Sequence, residues 1–420
     1  MSRASLSEPV AGNGLLHRRL FLMHGAAAGA ALLTATAAPA APLDVPASMK
    51  TPGVPPSEYG ERSPHEAHVK RIPNGAPPSA GTGGSRTPLE SLEGVITPSS
   101  LHFERHHNGI PDLDPDTHQV LIHGLVERPL MFSIEALSRY PLVSRIQFLE
   151  CAGNSGGNNA PEAPQQSAGG IHGLVSCSDW TGVPLAILLE EAGLKPEGRW
   201  LLAEGADAAG MSRSVPIAKA LDDAILALYQ NGERLRPSNG YPVRLFLPGY
   251  EGNMNVKWLR RIKVTSGPTM TKDETSKYSD LGLDGRAKLF TFPMEVKSLI
   301  TSPSGGQQMK GPGLYQISGL AWSGFGKIRR VEVSADGGKS WAQAALTEPV
   351  LSKSLVRFRM PWHWNGNLSV LMSRAVDETG AVQPTRAALM AARGANYRYH
   401  YNAVQSWNVS AAGEIGNVYV

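Results

Sequence analysis

The sequence predicts a mixed α+β domain followed by an all-β sandwich of immunoglobulin type. Three observations lead there. The chain carries 45 glycines and 32 prolines in 420 residues, so it must turn often, which favours β-rich or mixed architecture. Between Pro98 and about residue 265, short strand-like and helical patterns follow one another without the regular strand–helix alternation of a doubly wound sheet. After about residue 285, short strands recur at close spacing, and no helical period is visible before residue 385.

Taken in chain order, the first segment reads as an export signal. Arg18-Arg19-Leu20-Phe21-Leu22 is a twin-arginine motif, the run Gly25 to Ala38 is apolar and Ala-rich, and Ala38-Pro39-Ala40 offers a cleavage site. Residues 1–40 are therefore expected to direct the chain to the periplasm. The run is too short and too weakly apolar to span a bilayer, so the mature chain is expected to have no membrane span. Residues 41–95 are rich in Pro, Gly and Ser and read as an extended arm. His65-Glu66-Ala67-His68 lies there, one residue too short for the zinc-helix motif, and reads as surface.

Residues 96–284 form the mixed domain. Gln119 to Gly124 alternates like a strand, and Ser133 can cap a helix from Ile134 to Tyr140, stopped by Pro141. Ser144 to Leu149 is a strand that delivers Cys151 just past its end. Pro184 to Ala192 is a helix with Gly193 as its C-terminal cap. Asn231-Gly232 marks a hairpin, and Val243 to Leu247 and Lys257 to Val264 are further strands. Residues 285–420 form the sandwich, with strands at Glu295 to Ile300, Gly313 to Ser318, Ile328 to Ser334, Trp341 to Ala345, Leu355 to Met360 and Leu368 to Val376. The tail aromatics Tyr397, Tyr399, Tyr401 and Trp407 are expected to pin the chain end to the body.

Composition excludes several functions. The net charge is +4, falling to +2 once residues 1–40 and their Arg3, Arg18, Arg19 and Glu8 are removed, with no basic stripe of the kind nucleic-acid binders carry. No G-x-G-x-x-G or phosphate-binding loop supports a nucleotide cofactor. Two cysteines allow one bridge at most, and neither sits in C-x-x-C-H, so no haem is expected in this chain. Cys151 lies in Phe148-Leu149-Glu150-Cys151-Ala152-Gly153-Asn154. From this run alone it is either a soft thiolate metal ligand or a buried apolar thiol.

Five motifs in order resolve that choice: Phe103-Glu104-Arg105-His106-His107, Glu150-Cys151-Ala152-Gly153-Asn154, Glu204-Gly205-Ala206-Asp207, Gly240-Tyr241-Pro242-Val243-Arg244 and Asn255-Val256-Lys257-Trp258. Together they resemble the sulfite oxidase family of molybdoenzymes from about residue 98 to the C-terminus. Within it the chain is most similar to periplasmic sulfite/sulfane dehydrogenase molybdenum subunits. The resemblance implies a molybdenum–molybdopterin cofactor, one per chain, held through the Cys151 thiolate, and a sandwich that serves as a dimerisation domain. It implies pterin contacts from Phe103, Glu104, Arg105, His106, His107, Asp207, Asn239, Arg244, Asn255, Val256 and Lys257. Tyr278 matches the family's active-site tyrosine, and Arg105 faces the substrate anion, giving Cys151, Arg105 and Tyr278 as the catalytic set. Cys177 lacks the motif context and reads as buried.

One departure bears on the substrate. The family's sulfite-binding arginine after the cysteine loop is absent, and Ser155-Gly156-Gly157-Asn158-Asn159 stands in its stretch. A roomier, less positive pocket suits sulfur presented on a carrier protein's arm, with Arg393 or Arg398 as a further cation. The expected reaction is oxidation of sulfite or carrier-bound sulfane sulfur, with electrons passed to a c-type cytochrome partner. A periplasmic methionine sulfoxide reductase shares the signal, pterin and lone cysteine but lacks the second domain. A cofactor-free exported binding module is the remaining alternative, and metal analysis separates it.

Overall fold

A computed structural model describes residues 9–17, 44–76, 79–394 and 397–420. The twin-arginine motif, the Ala-rich run and the cleavage site fall outside these residues. The mixed domain is built on two five-stranded sheets. One runs Ser212–Pro216, Trp200–Gly205, Leu259–Thr265, Gln119–Gly124, Leu130–Ser133, antiparallel except where Leu259–Thr265 meets Gln119–Gly124. The other runs Glu233–Arg234, Ile225–Gln230, Val175–Pro184, Val143–Glu150, with Arg244–Phe246 also pairing Ile225–Gln230. Buried Val120, Ile122, Leu185, Leu188, Leu226, Val243 and Ile262 pack between them.

Local signals explain the expected elements. Ser133 accepts a hydrogen bond from the Ala136 amide and caps the helix Ile134–Ser138. That helix stops two residues before Tyr140. The helix Leu185–Ala192 buries Leu185, Leu188 and Leu189 and ends at Gly193 with φ +73°. At the Asn231-Gly232 turn both residues have positive φ, 53° and 80°, as a tight hairpin requires. Strands not expected from sequence include Glu104–His106, Leu130–Ser133, Val175–Pro184, Trp200–Gly205 and Ser212–Pro216.

The second domain is a sandwich of two antiparallel sheets. One contains Lys297–Ser302, Gly313–Trp322 and Val356–Trp364; the other contains Ile328–Ser334, Ser369–Asp377, Ser406–Val409 and Ile415–Val418. Trp322, Trp362, Phe358 and Trp407 fill the space between them. The helix Arg386–Arg393 falls after residue 385, as expected. The tail aromatics pin the end as expected: Tyr397, Tyr401 and Trp407 are buried.

Two N-terminal segments join the body more closely than the sequence suggested. Pro9–Ala11 and Leu15–Leu16 pair as a hairpin on the edge of the sandwich, with Leu15 opposite Trp362 and wholly buried. The arm reaches the body well before residue 95: Gly83–Arg86 pairs with Glu104–His106, Leu89 is buried, and Arg357 donates to the Leu92 and Gly94 carbonyls. His65 and His68 sit on an exposed turn, as read from sequence.

Candidate active site

Cys151 follows directly on the strand Val143–Glu150 and lines an open cleft of about 710 Å³. Its amide donates to the Leu174 carbonyl at 2.9 Å, and its carbonyl accepts from the Asn154 amide at 2.9 Å, closing a tight turn. Asn154 braces that turn: its Oδ1 accepts from the Leu174 amide and its Nδ2 donates to Glu150. A side chain at Gly252 would sit 3.0 Å from the Glu150 carbonyl oxygen and 3.3 Å from the Cys151 Cα, so glycine lets that segment close against the cysteine. Cys151 is half-buried. Burial pushes its thiol pKa up, against the pull of the Gly153 amide and Arg105. Cys177 is fully buried against Ser354, its thiol pushed up to about 11 by burial, and both thiols are free.

The cleft gathers twelve of the thirteen residues expected from sequence: Phe103, Arg105, His106, His107, Cys151, Asp207, Asn239, Arg244, Asn255, Val256, Lys257 and Tyr278 line it. Glu104 alone stands outside. It neighbours Arg105 and His106 on the same strand, but its carboxylate is taken by Arg71 and by His106 Nε2 at 3.2 Å. Sequence reasoning missed His102, Met211, Ser238, Gly252, Asn253 and Trp258, which also line the cleft. Adjacency to the matched motifs was the available signal for His102, Gly252, Asn253 and Trp258.

The electrostatics are lopsided. Arg244 is buried and donates only to carbonyls, of Asn239 at 3.0 Å and Asn255 at 2.8 Å, while its Nε has no partner. Burial pulls its pKa down to about 9. Lys257 Nζ donates to the Ser238 carbonyl at 3.0 Å and to His106 Nδ1 at 2.9 Å. Burial, with Arg244 nearby, pulls its pKa well below the ordinary lysine value. Among the described residues neither cation is paired with a carboxylate. His102 Nε2 is also buried without a partner, its Nδ1 being tied to the Phe103 carbonyl. The cleft is thus built to receive a group that is anionic and rich in hydrogen-bonding edges. Among the described residues no three His, Cys, Asp or Glu side chains gather to hold a metal. A metal at Cys151 would arrive with further donors of its own.

Tyr278 closes one side. Its hydroxyl is 3.1 Å from His107 Nε2, its ring packs on Tyr399, and the Arg213 guanidinium lies 4.9 Å from its ring centre. Burial pushes the phenol pKa up. Tyr278 at φ +53° and Ser155 at φ +67° both adopt the left-handed region, strain of the kind that collects at functional sites. Arg213 is buried between Glu251 at 3.4 Å and Glu274 at 3.6 Å, so it supports Tyr278 from behind and does not face the cleft. Of the two tail arginines, Arg393 is committed to Glu295 and Tyr397. Arg398 lines an outer depression with Gly156, Asn159, Lys277 and Tyr399.

Burial holds the pKa of His102, His106 and His172 down to about 3. Such histidines are neutral in the fold but take up protons when it opens, so their stabilising effect is present above about pH 6.5 and shrinks as pH falls toward 3. The cofactor-free protein should lose roughly 1–2 kcal/mol per histidine between pH 7 and pH 5. His400, raised by its Glu251 partner despite burial, opposes the trend for one group. Denaturant midpoints at the two pH values check this; equal midpoints would contradict it.

Residues 107–272 match the family described as oxidoreductase molybdopterin binding domain, and residues 288–406 match the Mo-co oxidoreductase dimerisation domain. Sulfite oxidase of Gallus gallus is 31% identical over 327 residues, covering 72% of this chain and 71% of that protein. The NADH nitrate reductase of Ulva prolifera is 29% identical over 332 residues, of whose length the chain spans 38%. A crystal structure of the sulfane dehydrogenase SoxCD from Paracoccus pantotrophus is 47% identical, with a TM-score of 0.86, over 88% of this chain and 95% of that one.

Proposed function

The chain belongs to the molybdopterin oxidoreductase family that includes the sulfite oxidases, and from that premise we propose that it oxidises sulfite or carrier-bound sulfane sulfur in the periplasm. The electrons pass to a c-type cytochrome. The observation that carries this reading is that one thiol donor shares a cleft with buried Arg244 and half-buried Lys257, neither of which is ion-paired with a carboxylate among the described residues. Those residues fit molybdopterin, whose phosphate needs cations and whose ring edges need donors and acceptors.

When bound, that cofactor supplies two-electron oxygen-atom transfer at sulfur. The protein's own residues do the rest. Cys151 would hold the metal through its thiolate. Arg244 and Lys257 take the phosphate and ring edges, helped by Asn239, Asp207, Asn255, His106 and the unpartnered His102 Nε2. Arg105 faces the anion. Tyr278, hydrogen-bonded to His107, would hold or pass a proton at its hydroxyl beside the cofactor. Tyr278→Phe is expected to retain full molybdenum content while turnover falls roughly 100-fold or more; unchanged turnover would remove Tyr278 from the mechanism.

The substrate choice rests on Gly156-Gly157. Gly156 leads from the cysteine loop to the outer depression beside Lys277, Arg398 and Tyr399. That depression, with Lys277 and Arg398 at its edge, is the proposed docking place for sulfur carried on an extended protein arm. No C-x-x-C-H occurs in this chain, so the electrons leave for a separate haem protein. The sandwich supports a two-fold homodimer. The test is reduction of candidate cytochromes with free sulfite, thiosulfate and carrier-bound sulfane sulfur. Preference for the carrier-bound form is expected, and a strong preference for free sulfite would overturn the carrier assignment.

A further inference from the structure

The residues flanking Cys151 are held by the second domain. Glu150 is 1% exposed, and each of its carboxylate oxygens is occupied. Oε1 accepts from Asn154 Nδ2 at 2.9 Å and from Lys297 Nζ at 3.1 Å, while Oε2 accepts from Trp322 Nε1 at 2.6 Å. Lys297 and Trp322 are cross-strand partners in the sandwich. Lys297 Nζ also donates to Ser155 Oγ at 2.6 Å. One ammonium group thus ties down both sides of the loop, one residue before the cysteine and four residues after it.

The remaining bonds leave that loop little freedom. Ser155 Oγ lies 2.7 Å from His172 Nδ1, and His172 Nε2 lies 2.9 Å from Gln405 Oε1. Because Gln405 Oε1 can only accept, His172 carries its proton on Nε2 and takes the Ser155 hydroxyl proton on Nδ1. The Ser155 oxygen is then free to accept from Lys297, and every polar atom in the chain of bonds is satisfied. The tail adds the His400 amide, which donates to the Ala152 carbonyl at 2.8 Å. Breaking one member of a buried network leaves its partners uncompensated, so Lys297 cannot be lost without releasing both of its acceptors.

We propose that Lys297 is a positioning residue for the Cys151 sulfur, so that the sandwich domain sets the place of the metal ligand as well as any dimer contact. This rests on the assignment of Cys151 as the ligand. Ligand sulfurs need placement within a fraction of an ångström, and groups that orient them change metal affinity on the order of 10- to 100-fold when removed.

The test uses the cofactor-free full chain and reads iodoacetamide alkylation of Cys151 by peptide mass spectrometry, with buried Cys177 as the internal reference. Lys297→Met is expected to alkylate Cys151 about tenfold faster than wild type, because the loop opens more often. The double variant Glu150→Gln/Lys297→Met removes the stranded charge and should recover thermal stability while keeping the faster alkylation. Alkylation that returns to the wild-type rate together with stability would show a merely structural ion pair and overturn the proposal. Should Lys297→Met fail to fold, Ser155→Ala removes one bond of the clamp and is expected to give a smaller acceleration; no acceleration would overturn the proposal equally. Molybdenum content of the wild type is measured in parallel. Its absence sinks the ligand assignment, whereas unchanged alkylation in metal-loading protein sinks only the clamp.

Discussion

Cys151→Ser is expected to fold as the wild type does and to lose turnover entirely. The cysteine lies at the end of a strand whose register is set elsewhere, by pairing of Val143–Glu150 with Val175–Pro184. Its thiol accepts from the Gly153 amide, a contact a hydroxyl can keep, while Asn154 and the Leu174 carbonyl hold the turn. Serine replaces sulfur with oxygen at nearly the same volume, so the packing is preserved. A hydroxyl is a hard, weakly acidic donor that does not replace a soft thiolate at a high-valent metal. The measurement is turnover beside circular dichroism and melting temperature. Activity at the wild-type level would remove Cys151 from the chemistry.

The second large effect concerns buried Arg244 and half-buried Lys257. Arg244→Met/Lys257→Met is expected to purify with less than about a tenth of the wild-type molybdenum, since loss of two charge-assisted contacts to an anion costs at least one factor of ten. The same variant should be no less stable than wild type when both are stripped of cofactor. Among the described residues neither cation is ion-paired with a carboxylate, and burial pulls both pKa values down, with Asp207 opposing it only at Lys257. Replacing such charges with apolar groups is often neutral or stabilising. The carbonyls of Asn239 and Asn255, left short of a donor, offset part of that gain. Lost cofactor with retained stability separates a ligand-binding role from a folding role. Full molybdenum loading would contradict the assignment of both residues.

Much of the site was legible because its residues come in short runs whose chemistry is local. Phe103 to His107 and Asn255 to Lys257 each place several contacts through one strand end or turn. The misplacement of Glu104 shows the limit: a run names a neighbourhood, and ion pairs such as Arg71–Glu104 decide which members face the cleft. The strand Val175–Pro184 escaped because its alternation, Val175-Ser176-Cys177-Ser178, breaks at Asp179 and marks the serines as solvent-facing. Its serines are nonetheless buried, with Ser176 and Ser178 satisfied by Thr87 and Gln230. Such satisfaction depends on partners 52 to 89 residues away and leaves no local pattern. Lys297 was hidden for the same reason. A lysine opening a strand reads as solvent-facing, and only the fold brings Glu150 and Ser155 to it.

The role of Arg213 was equally invisible. It sits in the strand Ser212–Pro216, whose alternation is masked by serines, and its work is done through Glu251, Glu274 and the Tyr278 ring. The hairpin Pro9–Leu16 on the sandwich edge follows from apolar pairing of Leu15 with Trp362, a contact between the two ends of the chain that no window of sequence contains.

The most direct measurement is the metal and pterin content of purified, catalytically active protein. Elemental analysis should find close to one molybdenum per chain, and oxidation of the extracted cofactor should release a fluorescent pterin. Protein that turns over sulfur compounds while holding neither would contradict the account at its base.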